Sequence, residues 1–297
     1  MSTEQQDDYR VEKRRVRTAF EQAAQHYDEH AVLQHEVGRR MLERLELVRL
    51  QPRRIADIGA GTGRATLNLG RRYSKAQVVA VDLASAMLHR ARRQLPVWMK
   101  WPRRFHYVCA DAEHLPMADN CVDLLFSNLT LQWCNDLDLV FREFRRIAAA
   151  GGLVMFSTFG PDTLRELRDS WRQVDGHTHV NLFMDMHDIG DALVRNGFAS
   201  PVMDVEHFTL TYQDVFQLMR DLKNLGAHNV TAGRPRSLTG KRHMEALAQA
   251  YQRHVRDGRL PATYEVIYGH AWAPQGPSPS RADGGVVSIP IENIRRP

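Results

Sequence analysis

The chain has 297 residues, 43% of them hydrophobic, and carries a formal charge of +5. That length and apolar content suit one sizeable core and exclude a disordered or fibrous chain. No apolar run approaches the roughly 18 residues of a membrane helix, and Met1 to Arg17 is too polar for a secretory leader, so a cytoplasmic protein is expected.

Cys109, Cys121 and Cys134 lack paired spacing and read as reduced thiols rather than disulfides or a zinc site. The basic balance admits an acidic partner without choosing one. Arginine groups such as Arg90, Arg92 and Arg93, or Arg142, Arg145 and Arg146, read as solvated helix faces.

In chain order, residues 12 to 27 read as a helix carrying Val16, Ala19, Phe20 and Ala23. A longer amphipathic helix follows, with Val32, Leu33, Val37, Met41, Leu42, Leu45 and Val48 at helical spacing, and Pro52 stops it. Strand Arg54–Ile58 then leads to helix Arg64–Arg72, and strand Gln77–Asp82 to helix Ser85–Leu95. Strand Phe105–Asp111 is followed by a loop with Pro116. Strand Val122–Asn128 leads to helix Leu137–Ala148, and strand Leu153–Phe159 to helix Thr163–Val174. This alternation predicts a mostly parallel sheet covered by helices on both faces. The last third reads as helix His187–Asn196, strand Pro201–Thr211, helices Asp214–Leu225 and Lys241–Val255, and strand Thr263–Ala271. One domain over residues 1–273 is expected, with a helical cap at about 12–50. The Pro, Gly and Ser-rich tail 274–297 is expected to be disordered.

The most informative segment is Asp57-Ile58-Gly59-Ala60-Gly61-Thr62-Gly63, between the first strand and its helix. Glycines there admit unusual backbone angles and close approach of a ligand. The next helix offers unpaired N–H groups. Asp82 ends the second strand about 20 residues on, the place of a ribose-binding acid. The third glycine falls one residue too early for a dinucleotide fingerprint, and no Lys-Ser/Thr pair follows for a triphosphate loop. Asp57 would repel pyrophosphate and suit an ammonium group. S-adenosylmethionine fits: it carries an ammonium and a sulfonium and no phosphate. Asp111-Ala112 and Asn128 end the third and fourth strands, which border the ligand crevice of an open α/β sheet.

With these motifs, residues 15 to 273 resemble the class I S-adenosylmethionine-dependent methyltransferases. Asp111-Ala112-Glu113-His114-Leu115-Pro116 and Val122-Asp123-Leu124-Leu125-Phe126-Ser127-Asn128 add to the likeness. The resemblance implies a Rossmann-like sheet of seven strands, the last antiparallel, with N-terminal helices and a helical insertion forming a lid. A narrower set of stretches resembles the malonyl-acyl carrier protein O-methyltransferases of biotin synthesis. It includes Ala19-Phe20 to Tyr27-Asp28, Ser127-Asn128-Leu129-Thr130-Leu131-Gln132-Trp133-Cys134, Phe156-Ser157-Thr158-Phe159-Gly160-Pro161-Asp162, Leu225-Gly226-Ala227-His228-Asn229 and Thr263-Tyr264-Glu265-Val266-Ile267-Tyr268. One departure is Ala148-Ala149-Ala150-Gly151-Gly152, where such enzymes have a Lys-Pro-Gly-Gly turn; the missing proline predicts a looser start to the fifth strand.

The resemblance implies methyl transfer from S-adenosylmethionine to the free carboxylate of a malonyl-thioester on acyl carrier protein, leaving S-adenosylhomocysteine. A malonyl carboxylate is already ionised at pH 7, since such acids titrate near ~4, so no general base is required. For the cofactor we expect Asp57, Gly59, Ala60, Gly61 and Gly63 in the loop and Asp82, Leu83 and Met87 after the second strand. Asp111 and Ala112 are expected at adenine, Asn128 and Leu129 at sulfur, and Tyr27 as a lid. Tyr27, Asn128, Gln132, Trp133, His228 and Asn229 are the acceptor-side candidates, and no metal is expected. His177-x-His179 reads as a loop rather than a metal pair. Arg234, Arg236, Lys241 and Arg242 form a candidate docking surface for the carrier protein, on an enzyme expected to be a monomer. One competing reading is a methyltransferase for a quinone or phenolic acceptor, which would need a base such as His228 or His187. Another is a basic nucleic-acid-binding protein with a vestigial cofactor fold. No recognition helix or aromatic–basic stripe supports that one, and no nucleic-acid partner is expected.

Overall fold

The computed structural model describes residues 10–99, 104–227, 229 and 240–275. Three helices come first: α1 (Lys13–Ala23), α2 (Tyr27–His30) and α3 (Val32–Arg44). The alternating segment follows as β1 (Arg54–Ile58), α4 (Arg64–Arg72), β2 (Gln77–Asp82), α5 (Ser85–Gln94), β3 (Phe105–Cys109), β4 (Val122–Asn128) and α6 (Leu137–Ile147). Then come β5 (Ala148–Phe159), α7 (Arg165–Trp171), α8 (Met186–Arg195), β6 (Ala199–Tyr212), α9 (Val215–Asn224), α10 (Lys241–Tyr251) and β7 (Leu260–Trp272). The seven strands form one sheet in the order β3-β2-β1-β4-β5-β7-β6. β7 runs antiparallel between β5 and β6, and the strands from β3 through β5 pair in parallel.

The strands read as apolar runs because both faces of the sheet are covered. Alternate residues point to opposite layers. Ile55, Val78, Leu124 and Phe126 pack in the layer that includes Val37 and Met41 of α3. Ala56, Val81 and Leu125 pack in the layer of Phe141 and Phe144 from α6. Helices α6, α8 and α9 start on side-chain caps: Asp136, Asp185 and Asp214 accept the backbone N–H of Leu139, His187 and Gln217.

The core strands occur where the alternation placed them, and the differences are at edges. The fifth strand begins at Ala148 rather than Leu153. Its alanine–glycine start is not loose: the Gly151 N–H donates to Ala273 O (2.9 Å) and Ala273 N–H to Gly152 O (2.8 Å). Cross-strand bonds thus hold the segment without the proline. Helices α7 and α10 stop short of the periodic pattern, α10 passing into a 3-10 turn at Gln252–His254. Of the tail 274–297, only residues 274 and 275 belong to the described residues.

Gly63 shows why the third glycine of the loop comes early. It has φ +84°, and a Cβ there would lie 2.6 Å from the Ala91 Cβ of α5. It packs against α5 at the start of α4, a structural reason for a glycine at this position. Gly63→Ala should lower the unfolding free energy by about 2–4 kcal/mol, from left-handed strain plus overpacking. A shifted urea midpoint with an unchanged slope would register it.

Candidate active site

The loop after β1 is tied to the next strand: Gly59 N–H and Ala60 N–H both donate to Val81 O, at 2.8 and 2.9 Å. Gly59 sits against Thr130, whose Oγ1 would be 1.8 Å from an added Cβ. Gly61 has open space where a Cβ would stand. Asp82 closes the arrangement. Its Oδ2 accepts the Gly61 N–H and its Oδ1 the Ala84 N–H, each at 2.8 Å.

Two contiguous crevices meet at Tyr27, Gly59, Gly61 and Asn128. The first runs over the ends of β2 and β3 and is lined by Asp82, Leu83, Met87, Asp111, Ala112 and Leu129, among others. The second takes in Asp57, Ala60, Thr62 and Arg64. All the residues expected at the cofactor except Gly63 therefore border one continuous groove. The lining residues that were not foreseen include Lys13, Val16 and Phe20 from α1, and Cys134. Nothing in their local pattern distinguishes them from residues of an ordinary amphipathic helix or loop. Burial pushes the Cys134 thiol up to about 12, which keeps it neutral.

The N-terminal helices roof this groove through polar anchors. Glu21 accepts the N–H groups of Ser85 (2.7 Å) and Ala86 (2.9 Å) at the start of α5, where helix N–H groups lack intrahelical partners. Burial opposes its ionisation, but those amides hold its carboxyl below the usual range. Asp28 accepts from Thr62 Oγ1 and Gln94 Nε2, both at 2.6 Å. Tyr27 packs with Phe20 beside Met87. Burial, with Asp82 and Asp28 close by, pushes its phenol up and keeps it neutral.

Beside the groove lies a cavity of about 230 Å³. Trp133 lines both it and the first crevice; Gln34 lines both it and the second. Its walls are largely apolar, with Leu33, Phe159, Leu167, Met219, Leu222 and Met244 among them. The polar groups lining it include Gln34, Gln132, Asn181, Tyr264 and two histidines, and no Lys or Arg is among the described lining residues. Each histidine has an acidic partner: His30 Nδ1 lies 3.0 Å from Asp221 Oδ1, and His179 Nε2 2.8 Å from Asp175 Oδ1. His179 also stacks flat on Trp171, with ring centroids 3.7 Å apart.

The expected acceptor residues divide. Gln132, Trp133 and Asn229 line the cavity. The Asn128 amide is held by donation to Gln34 O (2.9 Å) and acceptance from Ser157 Oγ (2.9 Å), so it orients the wall. His228 lies outside the described residues. His187, offered as a base for a phenol, has a side chain 83% exposed on α8 and is corrected to a surface residue.

Residues 56–156 match the family described as a methyltransferase domain. Across 271 residues, 91% of this chain and 92% of the relative, the sequence is 53% identical to the malonyl-acyl carrier protein O-methyltransferase of Methylovorus sp.. The enzyme of the same name from Nitrosospira multiformis is 52% identical over 279 residues, covering 90% of this chain and 91% of that one. The chain belongs to the malonyl-acyl carrier protein O-methyltransferase family. The fold alone is shared more widely. A Bacillus halodurans protein crystallised as a candidate methyltransferase superposes with a TM-score of 0.57 at 17% identity, over 79% of this chain and 98% of that one.

The groove suits the methyl donor of this family. Open space at Gly61 admits a ligand against the backbone, and the carboxylates of Asp57 and Asp82 line the two crevices, a setting that suits a cationic group better than a phosphate. Burial pushes Asp57 up to about 7, against a bond from Thr66 Oγ1 and with the Asp82 charge adding to it. Burial likewise raises Asp82 to about 6, against the amides of Ala84 and Gly61. Folded-state values above the ordinary aspartate range favour folding at low pH, and that contribution is lost as pH rises through about 6 to 7. A cationic ligand reverses the preference by favouring the ionised acids. S-adenosylmethionine affinity should therefore fall about 30-fold from pH 8 to 5.5, from one carboxylate titrating at about 7. Calorimetry at a series of pH values checks this, and Asp57→Asn should flatten the profile.

Proposed function

We propose that this chain methylates the free carboxylate of a malonyl-thioester carried on acyl carrier protein. The product is the methyl ester, which the family resemblance assigns to the priming of biotin synthesis. The observation that supports the reading is a largely apolar cavity joined to the cofactor groove at Trp133 and Gln34, with no Lys or Arg among its described lining residues.

In the groove, Asp82 receives the ribose hydroxyls, Asp111 and Ala112 meet adenine, and Leu83 and Met87 pack on the nucleoside. Gly59 and Gly61 allow the methionine end close to the backbone, near Asp57 and Ala60. S-adenosylmethionine supplies a methyl group made electrophilic by its sulfonium. The protein brings an acceptor oxygen into line with it, which is catalysis by proximity and orientation.

The acceptor arrives ionised, so its wall needs donors and no base. Gln34, at the passage between cavity and groove, and Gln132, in the cavity wall next to Trp133, hold the carboxylate. Neutral amides fit this task better than arginine, because a cation would stabilise the charged substrate more than a transition state in which charge is vanishing. The apolar walls keep water from that carboxylate. Gln132 is itself oriented: its Nε2 donates to Leu129 O (2.7 Å) and its Oε1 accepts from Thr158 Oγ1 (3.3 Å).

The carrier protein docks at the α9–α10 rim. Met219 and Met244 of these helices line the cavity, and Arg220, Lys223, Lys241 and Arg242 are exposed beside them. Arg234 and Arg236 lie outside the described residues.

Methyl-ester formation on malonyl-carrier protein, with free malonate as control, tests the reading; turnover of malonate alone would reject it. Gln34→Leu should lower kcat/KM about 10–100-fold, the loss of a hydrogen bond to a charged group, with S-adenosylmethionine affinity unchanged. Reversing Lys241 and Arg242 to Glu should raise KM for the carrier-bound substrate severalfold. A small malonyl thioester should not respond, and an equal response would remove this docking surface.

A further inference from the structure

We propose that Lys13 is a positioning residue that presents Asp111 to the exocyclic amine of the cofactor's adenine. The inference rests on the S-adenosyl reading of the groove. Lys13 opens α1 and lines the first crevice together with Asp111. Its Nζ donates to Asp111 Oδ1 at 2.8 Å and lies 3.2 Å from Glu113 Oε1. The Glu113 N–H donates to the same Asp111 Oδ1 at 3.1 Å. Among the described residues no protein donor takes Asp111 Oδ2. One oxygen is therefore saturated from the protein side and the other is left for a ligand. A carboxylate only accepts, so this oxygen selects a base with an N–H at that edge.

The ammonium does more than occupy Oδ1. It stands between two carboxylates that would otherwise repel each other at short range. Glu113 is anchored independently, since its Oε1 accepts the N–H groups of Asn135 (2.5 Å) and Asp136 (3.2 Å). Without Lys13, Asp111 is the partner that swings away. The lysine is itself held by the helix entrance: Val11 N–H donates to Asn135 Oδ1 (2.7 Å), and Asn135 Nδ2 donates back to Val11 O (3.0 Å). Base recognition is thus built only when the N-terminal helix is docked, which couples the roof of the groove to its floor.

The test compares S-adenosylhomocysteine with its analogue bearing hydrogen in place of the 6-amino group, by calorimetry. The wild-type protein should prefer the amino form about 10–100-fold, the range of a hydrogen bond to a charged acceptor. Lys13→Met should collapse that preference to about threefold or less, as Asp111→Asn should, with no further loss in the double variant. Lys13→Arg should retain it. Adding Glu113→Gln to Lys13→Met should restore it, because the repulsion is gone. If Lys13→Met weakens both ligands equally, or Glu113→Gln restores nothing, Lys13 only fastens the helix and the proposal fails. If the wild-type protein binds neither ligand, the S-adenosyl reading itself falls.

Discussion

The carboxylate of Asp82 holds the cofactor groove together. It ends β2, yet its two oxygens fasten the Gly61 amide of the preceding loop and the Ala84 amide ahead of α5. Two neighbouring βα connections are thereby locked around one acid, and the groove between them keeps its width. The cost is a second buried carboxylate nearby, Asp57, with both titrating well above the ordinary range. Burial disfavours the ionised form of both acids, and a nearby cationic group would favour it.

The N-terminal helices complete the site from outside the sheet. Glu21 uses the unpaired amides of α5, Asp28 grips Thr62 and Gln94, and Lys13 bridges Asp111 and Glu113. Each anchor reaches a different βα connection, so the cap bears on the nucleoside end and on the glycine loop at once. Gln34 of α3 extends the same cap to the acceptor cavity, and its carbonyl holds the Asn128 amide. The groove and the cavity proposed for the acceptor thus share a roof. An apolar cavity with amide donors is a setting in which an ionised carboxylate is neither neutralised nor heavily solvated.

Much of the fold was readable from pattern. β1, β2 and β4 follow apolar runs that both layers bury, and Asp57, Asp82 and Asp111 stand at strand ends where any parallel α/β sheet exposes its ligand edge. The packing of Gly63 on Ala91 was not legible, because spacing cannot separate a glycine that meets a ligand from one that meets a helix. Asn128 and His187 show the same limit in another form. One is held by its hydrogen-bonding partners and the other faces solvent, and neither fact has a local signature.

The sequence by itself determined the donor: alternating strands and helices, a glycine loop with an acid before it, and a second acid one βα unit later are local features with local causes. Only the tertiary structure assembled the cavity proposed for the acceptor. That cavity draws Gln34 from the cap, Gln132 and Trp133 from beyond β4, Trp171 from α7, and Met219 and Met244 from helices far along the chain. Residues so distant in sequence meet only through packing, so no periodicity or motif records their meeting. Lys13 belongs with them, since an ordinary helix-opening lysine acquires a role only when Asp111 and Glu113 are folded against it.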